Sequence, residues 1–375
     1  MKTRSEQGGW TENAALLYYQ AFLLYEKPDA TTEQMLDDFR AGKIGANETI
    51  RTHLEKNRRV IEYAVKAASL PHCDWGYDYS QGIDLTIVNS SAVKEIAFLL
   101  STEAQALAEQ GDYRAALDRC VTLHKMALQV VDRPLITYLR GIGTSGAANR
   151  AIQNVLAAVP NDAEALNRLK VQVSQIQEAF PALENAITQE GQVCAATMRK
   201  DKVPVVIRVL EQDDKDFAAS VTRQRLLAGD EAFFERNRTH WFNTIATLAG
   251  ALKSGQPYPQ VYAQLGELEK KLTGESKDNP DATFTGFSLC TVERIYLLET
   301  RLRTHFNAVQ TAIDFYIIKA QTGSLPNTLP AGMPLDLFSG APFEYEKASD
   351  HFTLRCRGAE SDKDIPNEYL FKLIK

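Results

Sequence analysis

The stretch CTVERIYLLETRLRTHFNAVQTAIDFYIIKAQTG, residues 290–323, most constrains what this chain can fold into. Ile295, Leu298, Leu302, Phe306, Val309, Ile313 and Tyr316 recur at steps of three or four, the spacing that lines up one face of an α-helix. One long helix with a continuous apolar face is therefore predicted here, and Gly323 is placed to end it.

The helical pattern extends through most of the chain. TENAALLYYQAFLLYEK is apolar almost all round from Ala14 to Tyr25, with Thr11 as the expected N-cap and Pro28 beyond the end, and reads as a deeply packed first helix. A short second helix carries Met35, Leu36 and Phe39 and stops near Gly42 to Gly45. NETIRTHLEKNRRVIEYAVKAASL reads as one helix bearing Ile50, Leu54, Ile61 and Val65, ended by Pro71. Residues 90–131 form a pair of helices broken at EQGDYRAAL, where Gly111 supplies a positive φ and Asp112 caps the next helix. DRPLITYLRGIGTSGAANRAIQNVLAAV adds another helix or two, with small residues that permit close backbone approach. VPVVIRVLEQDDKDFAAS reads as a short strand run or a loop, while KSGQPYPQVY and TGESKDNPDATF read as long loops. Behind the long helix the texture changes to a segment containing Pro326, Pro330, Pro334 and Pro342. Two alternating runs follow, at Phe343 and His351, and predict a β-hairpin turning near Ala348 to Asp350.

The predicted fold is thus mainly α, a multi-helix array of stacked helical hairpins with a small C-terminal β-hairpin appendix. The divisions are residues 10–275 for the helical domain and 288–375 for the long helix and its tail. With 375 residues, 44% apolar and 24% charged, the chain can bury a large core without a metal or disulfide staple. Lys and Arg total 42 against 48 Asp and Glu, and the resulting net charge of −6 argues against a nucleic-acid or anionic-membrane surface. No apolar run reaches the length of a bilayer span, and MKTRSEQGGW lacks the core of a secretory leader. Cys73, Cys120, Cys194, Cys290 and Cys356 are scattered without CxxC spacing. They read as buried thiols, with one long-range disulfide left open.

Two resemblances rest on particular residues. Gly111-Asp-Tyr-x-x-Ala-Leu, and Pro160-Asn-Asp before the Ala-rich run to Leu169, resemble tetratricopeptide hairpin turns, although the period of about 34 residues does not recur. They place such hairpins near residues 90–180. The tail Pro334-x-Asp-x-Phe-Ser-Gly-x-Pro-Phe-x-Tyr, following a helix ending in Gly and Leu-Pro-x-x-Leu, resembles the C-terminal half of type II secretion pseudopilins. It is also similar to the tail of uncharacterised helical proteins of planctomycete type, whose segments Asn13-Ala-Ala-Leu-Leu-Tyr-Tyr-Gln and Cys73-Asp-Trp-Gly resemble too. Leu337 departs from the pseudopilin pattern, and the processing site and apolar anchor are absent. The acidic loop of some pseudopilins holds calcium. That resemblance makes Glu360, Asp362 and Asp364 the candidate calcium oxygens, and no other metal set is predicted.

The most chemically varied segment is LPHCDWGYDYSQG, residues 70–82. Cys73, Asp74, Trp75, Tyr77, Asp78 and Tyr79 are the candidate ligand or partner contacts. Residues adjacent in sequence, such as His72 and Cys73, seldom face each other, so a catalytic thiol is not predicted. The bland reading makes the aromatics plugs between helices and the carboxylates turn or cap acceptors. The six histidines show no HExxH pattern, and His240 beside Trp241 reads as a core or interface position. Gly141-x-Gly143-x-x-Gly146 matches a dinucleotide spacing by letter but lacks a preceding strand, and no cofactor is predicted. A non-enzymatic protein-interaction or scaffold protein is expected, associated with an envelope or secretion-type assembly. The alternatives are a helical hydrolase or lyase using the Cys73–Tyr79 loop, and a carrier of a small ligand or peptide. An envelope or periplasmic location is favoured if a leader or anchor has been removed, and a cytoplasmic one otherwise. Oligomeric state is not encoded in these patterns.

Overall fold

The periodic stretch near residue 300 is a single 31-residue helix, Val292–Thr322, about 46 Å long at 1.5 Å per residue. Gly323, at φ 80°, ends it in the left-handed region, and its N–H reaches the Lys319 carbonyl. The computed structural model that shows this describes residues 12–87, 90–213, 217, 220–288, 291–360 and 366–373. Among them are fifteen α-helices: α1 Ala14–Leu24, α2 Ala30–Arg40, α3 Glu48–Lys56, α4 Arg58–Ser69, α5 Ser90–Glu109, α6 Tyr113–Val130, α7 Leu135–Val155, α8 Ala163–Ala179, α9 Leu183–Ala195, α10 Val203–Asp213, α11 Val221–Ala228, α12 Glu231–Leu252, α13 Tyr258–Asp278, α14 Thr283–Ser288 and α15 Val292–Thr322. The β content is confined to the C-terminal end. Strands β1 Leu335–Asp336 and β2 Ala341–Pro342 pair with each other, and β3 Glu344–Lys347, β4 His351–Arg355 and β5 Glu368–Lys372 form an antiparallel sheet in that order. The protein is mainly α, as expected.

From Thr304 to Ile317 α15 is enclosed on nearly every side, more than the single face its periodicity indicates. It lies against α7, α8 and α13 and against the C-terminal strands. Phe306, Val309 and Ile313 supply apolar contact, while the polar positions are cross-linked. Lys170 donates to Asp314 at 2.6 Å, Gln177 to Asn307 at 3.0 Å, and Asn307 to the Leu335 carbonyl at 2.8 Å. Buried polar groups are tolerated only with such partners. Phe315 meets Tyr345 and Phe352 edge-on or tilted, so the sheet closes over the helix, and one apolar cluster runs from Ala14 to Phe371.

Both turn-like motifs have local causes. Gly111 has φ 85°, and Asp112 caps α6 by accepting from Ala115 N. Tyr113 Oη and Arg114 both donate to Asp162, which caps α8, so the two tetratricopeptide-like stretches meet at one carboxylate. In the tail motif, the buried Asp336 accepts from Phe338 N, Ser339 Oγ, Arg357 N and Gly358 N. Gly340 takes φ 69°, and Phe338 inserts edge-on against Tyr258 at 4.9 Å. The predicted hairpin is present between β3 and β4, and Ala348 N donates to the His351 carbonyl. The third strand, β5, carries its burial on alternate residues, Tyr369 and Phe371.

Four local readings change. The expected single helix over residues 47–70 breaks at Asn57, whose buried amide donates to the carbonyls of Glu26 and His53 and accepts from Glu26 N. The link between α1 and α2 thus interrupts a sequence that is locally helical. Residues 203–213 are helical, not strand or loop, with Val203 and Val206 buried. Most of YPQVY and TGESKD belongs to α13, because Tyr258, Val261, Leu265 and Leu272 form a buried stripe and Pro257 sits ahead of the first turn. The first helix is not buried all round, since Leu23 is 86% exposed. Thr11 lies outside the described residues, and Asn13 caps α1.

Replacing Asn57 by Ala leaves the Glu26 N–H and carbonyl without their partner. The urea midpoint is expected to fall by the equivalent of about 2 kcal/mol. A loss under about 0.5 kcal/mol, typical of surface positions, would contradict this role.

Candidate functional site

The segment from His72 to Tyr79 runs between the start of α1 and the end of α6. It is stapled to α1 through Asn13, whose side chain donates to the Asp74 carbonyl at 2.8 Å and accepts from Asp74 N at 2.9 Å. Ala14 N donates to the His72 carbonyl at 2.9 Å. These bonds bring Trp75 over α1, where its ring stacks on Tyr18 at 5.7 Å and on Phe22 at 6.2 Å and meets Tyr19 edge-on at 5.6 Å. Its indole N–H donates to the Gln129 carbonyl at 2.8 Å. The Gln129 side chain accepts from Tyr18 Oη and donates to the carbonyls of Ala67 and Leu70, tying α6 to α1 and α4.

The remaining residues of the segment are also engaged. Asp74 and Asp78 accept from Gly76 N and Ser80 N as turn acceptors, and both stay exposed. Tyr77 packs edge-on against Tyr79 at 6.3 Å. Tyr79 Oη donates to Asp132 at 2.5 Å beneath the guanidinium of Arg133, and burial followed by that carboxylate pushes its phenol well above the usual range. The Cys73 thiol is pushed up to about 12 by burial and then by the charges of Asp132 and Asp74. A nucleophilic cysteine needs the opposite surroundings, cationic and able to stabilise a thiolate.

Two histidines missed as a pair sit deep in the core. His124 of α6 hydrogen-bonds Ser145 of α7 at 3.0 Å and stacks on Phe306 of α15 at 5.0 Å. His305 stacks on Tyr369 at 4.8 Å and approaches Gln153 at 3.3 Å. Burial pushes both rings down to about 3, and the Arg150 and His124 charges add to the effect on His305, so both are neutral. The expected core position of Trp241 is realised: it is 1% exposed and donates to the Gly191 carbonyl at 2.8 Å. Neighbouring His240 bonds Thr285.

Of the proposed calcium oxygens, Asp362 and Asp364 lie outside the described residues. Glu360 is fully buried in a bidentate pair with Arg301, both bonds 2.5 Å, and also accepts from Asn367 at 2.7 Å. Among the described residues no group of three His, Cys, Asp or Glu side chains is placed to hold a metal ion. No helix there is long and apolar enough to cross a membrane.

Two clefts differ in their charge. One of about 520 Å³, between α13, α15 and the tail, contains Glu299 and Arg303, which neutralise each other at 2.8 Å. The other, about 350 Å³ between α5 and α7, is lined by Lys94, Phe98, Arg140, Gly143, Ala147 and Arg150 among others and has no carboxylate in its wall. The sequence signal for it was the run of glycines in α7, which suggested only close packing. The chain matches no family model, no curated protein and no solved structure.

Trp75→Ala is expected to lower stability by about 3 kcal/mol in urea unfolding, since it removes a ring held on three sides. A change below about 0.5 kcal/mol would contradict the packing role. His124 supplies a pH test. Its folded-state pKa lies below the unfolded 6.5, so its contribution is complete above pH 6.5 and is lost as the pH falls toward 3. The ring resonances of His124 should show the neutral form down to pH 4.5 in the folded protein, and a midpoint near 6.5 would contradict its burial.

Proposed function

We propose that this chain is a non-enzymatic interaction or scaffold protein that offers the outer edge of α1 to an apolar surface of a protein partner. The observation that carries this reading is the C-terminal end of α1, where Leu23 is 86%, Leu24 43% and Tyr19 36% exposed. Tyr19 and Leu23 are one helical step of four apart and share a face. Clustered apolar side chains on a surface mark interaction sites more often than isolated ones do. The edge is also stiffly held, because Tyr19 leans on Trp75 and donates to its carbonyl at 3.3 Å. A preordered surface loses less conformational entropy on binding.

The chemistry of the Cys73–Tyr79 segment supports the same reading. An active site needs titratable groups converging on a cavity with protonation suited to proton or acyl transfer. Here the thiol is held protonated and the Tyr79 phenol is bonded to Asp132.

The test compares native chain with Leu23→Glu/Leu24→Glu in affinity capture from the source organism, read by mass spectrometry. Both positions are exposed, so thermal stability should change little. A protein retained by the native chain and lost from the variant is the expected result. Identical retention by both, or turnover of an acyl or glycosyl substrate abolished by Cys73→Ala, would contradict the reading.

A further inference from the structure

We propose that the cleft between α5 and α7 binds an amphipathic organic anion. Lys94, Arg140 and Arg150 hold its headgroup, and its apolar body lies along Phe98, Ala97 and Ala147. The inference is independent of the α1 edge, since it concerns a small molecule at a different surface.

The charge balance of the cleft is the first reason. Elsewhere the half-buried guanidinium groups face carboxylates: Arg119 meets Glu103, Arg301 meets Glu360 and Arg303 meets Glu299. In this cleft three cationic side chains gather with no acid in the wall. Lys94 places its ammonium over the Phe98 ring, 5.2 Å from its centre, and Arg140 lies by Tyr77. Like charges brought together in a chain of net charge −6 favour an anion between them.

Gly143 is the second reason. Glycine in the middle of a helix is less stable than alanine, so its presence needs a cause. Gly141 has one, because a Cβ there would come within 2.3 Å of Val131. At Gly143 a Cβ would meet nothing within 4 Å, and the position lines the cleft. The missing side chain leaves space open and satisfies no packing demand of the protein itself.

The third reason is the floor. Val93 and Ala97 of α5 and Ala147 of α7 are buried and present an apolar surface beside the cations. At about 350 Å³ the cleft falls near the lower end of the ~300–1,000 Å³ usual for small-molecule sites. An acyl chain of medium length with a carboxylate or phosphate end combines both requirements.

Calorimetric titration of the full chain with decanoate, decyl phosphate, decanol and decyltrimethylammonium tests the proposal. Saturable binding of decanoate, of decyl phosphate or of both is expected, and which of them binds identifies the headgroup. Decanol should bind about 10-fold more weakly, and the cation not at all. Lys94→Gln/Arg150→Gln should weaken the anion by about 10-fold. Gly143→Leu should abolish binding while leaving the thermal midpoint equal or higher, because leucine favours the helix. If Gly143→Leu fails to fold, the charge variant alone decides. Absence of binding by both anions at millimolar concentration, decanol matching decanoate, or unchanged affinity in the charge variant would overturn the proposal.

Discussion

The enclosure of one indole, Trp75, fixes how the N-terminal helices sit together. Its ring fills the space between Tyr18 and Phe22 of α1, and its N–H is satisfied by the carbonyl of Gln129 on α6. Gln129 in turn has every polar atom of its side chain bonded to α1 or to the end of α4. Aromatic burial supplies the energy and the donor–acceptor matching supplies the register. The exposed edge of α1 inherits its position from this arrangement.

The same logic operates at the other end of the molecule. Asp336 gathers four donors from two turns, Arg301 and Glu360 neutralise each other out of water, and Phe315 of α15 seats the sheet. A small sheet of short strands is marginal by itself, and its stability depends on a helix beneath it. The tail's pseudopilin-like letters thus have local physical reasons in this chain: acceptor at Asp336, turn at Gly340, plug at Phe338.

What was legible in the sequence shares one property: its cause lies within a few residues. The stripe of α15, the Gly111–Asp112 junction and the β3–β4 hairpin follow from periodicity and turn chemistry alone. The bland reading of the Trp75 segment followed from residue type. The helix break at Asn57 was hidden because its reason is the backbone of Glu26, and the Val-rich run at 203–213 was ambiguous because β-branched residues fit either state until tertiary packing selects one. The α5–α7 cleft was hidden more deeply. Lys94 on one helix and Arg140 and Arg150 on another become a cluster only when the helices pack.

The central claim is that the aromatic segment holds helices together and performs no covalent chemistry. Residue-resolved alkylation of Cys73 by iodoacetamide, followed by mass spectrometry from pH 6 to 10, measures it most directly. The account predicts a slow reaction that keeps rising to the top of that range, because burial and two nearby carboxylates hold the thiol protonated up to about 12. A fast reaction reaching its plateau by pH 7 would reveal an activated thiolate and contradict it.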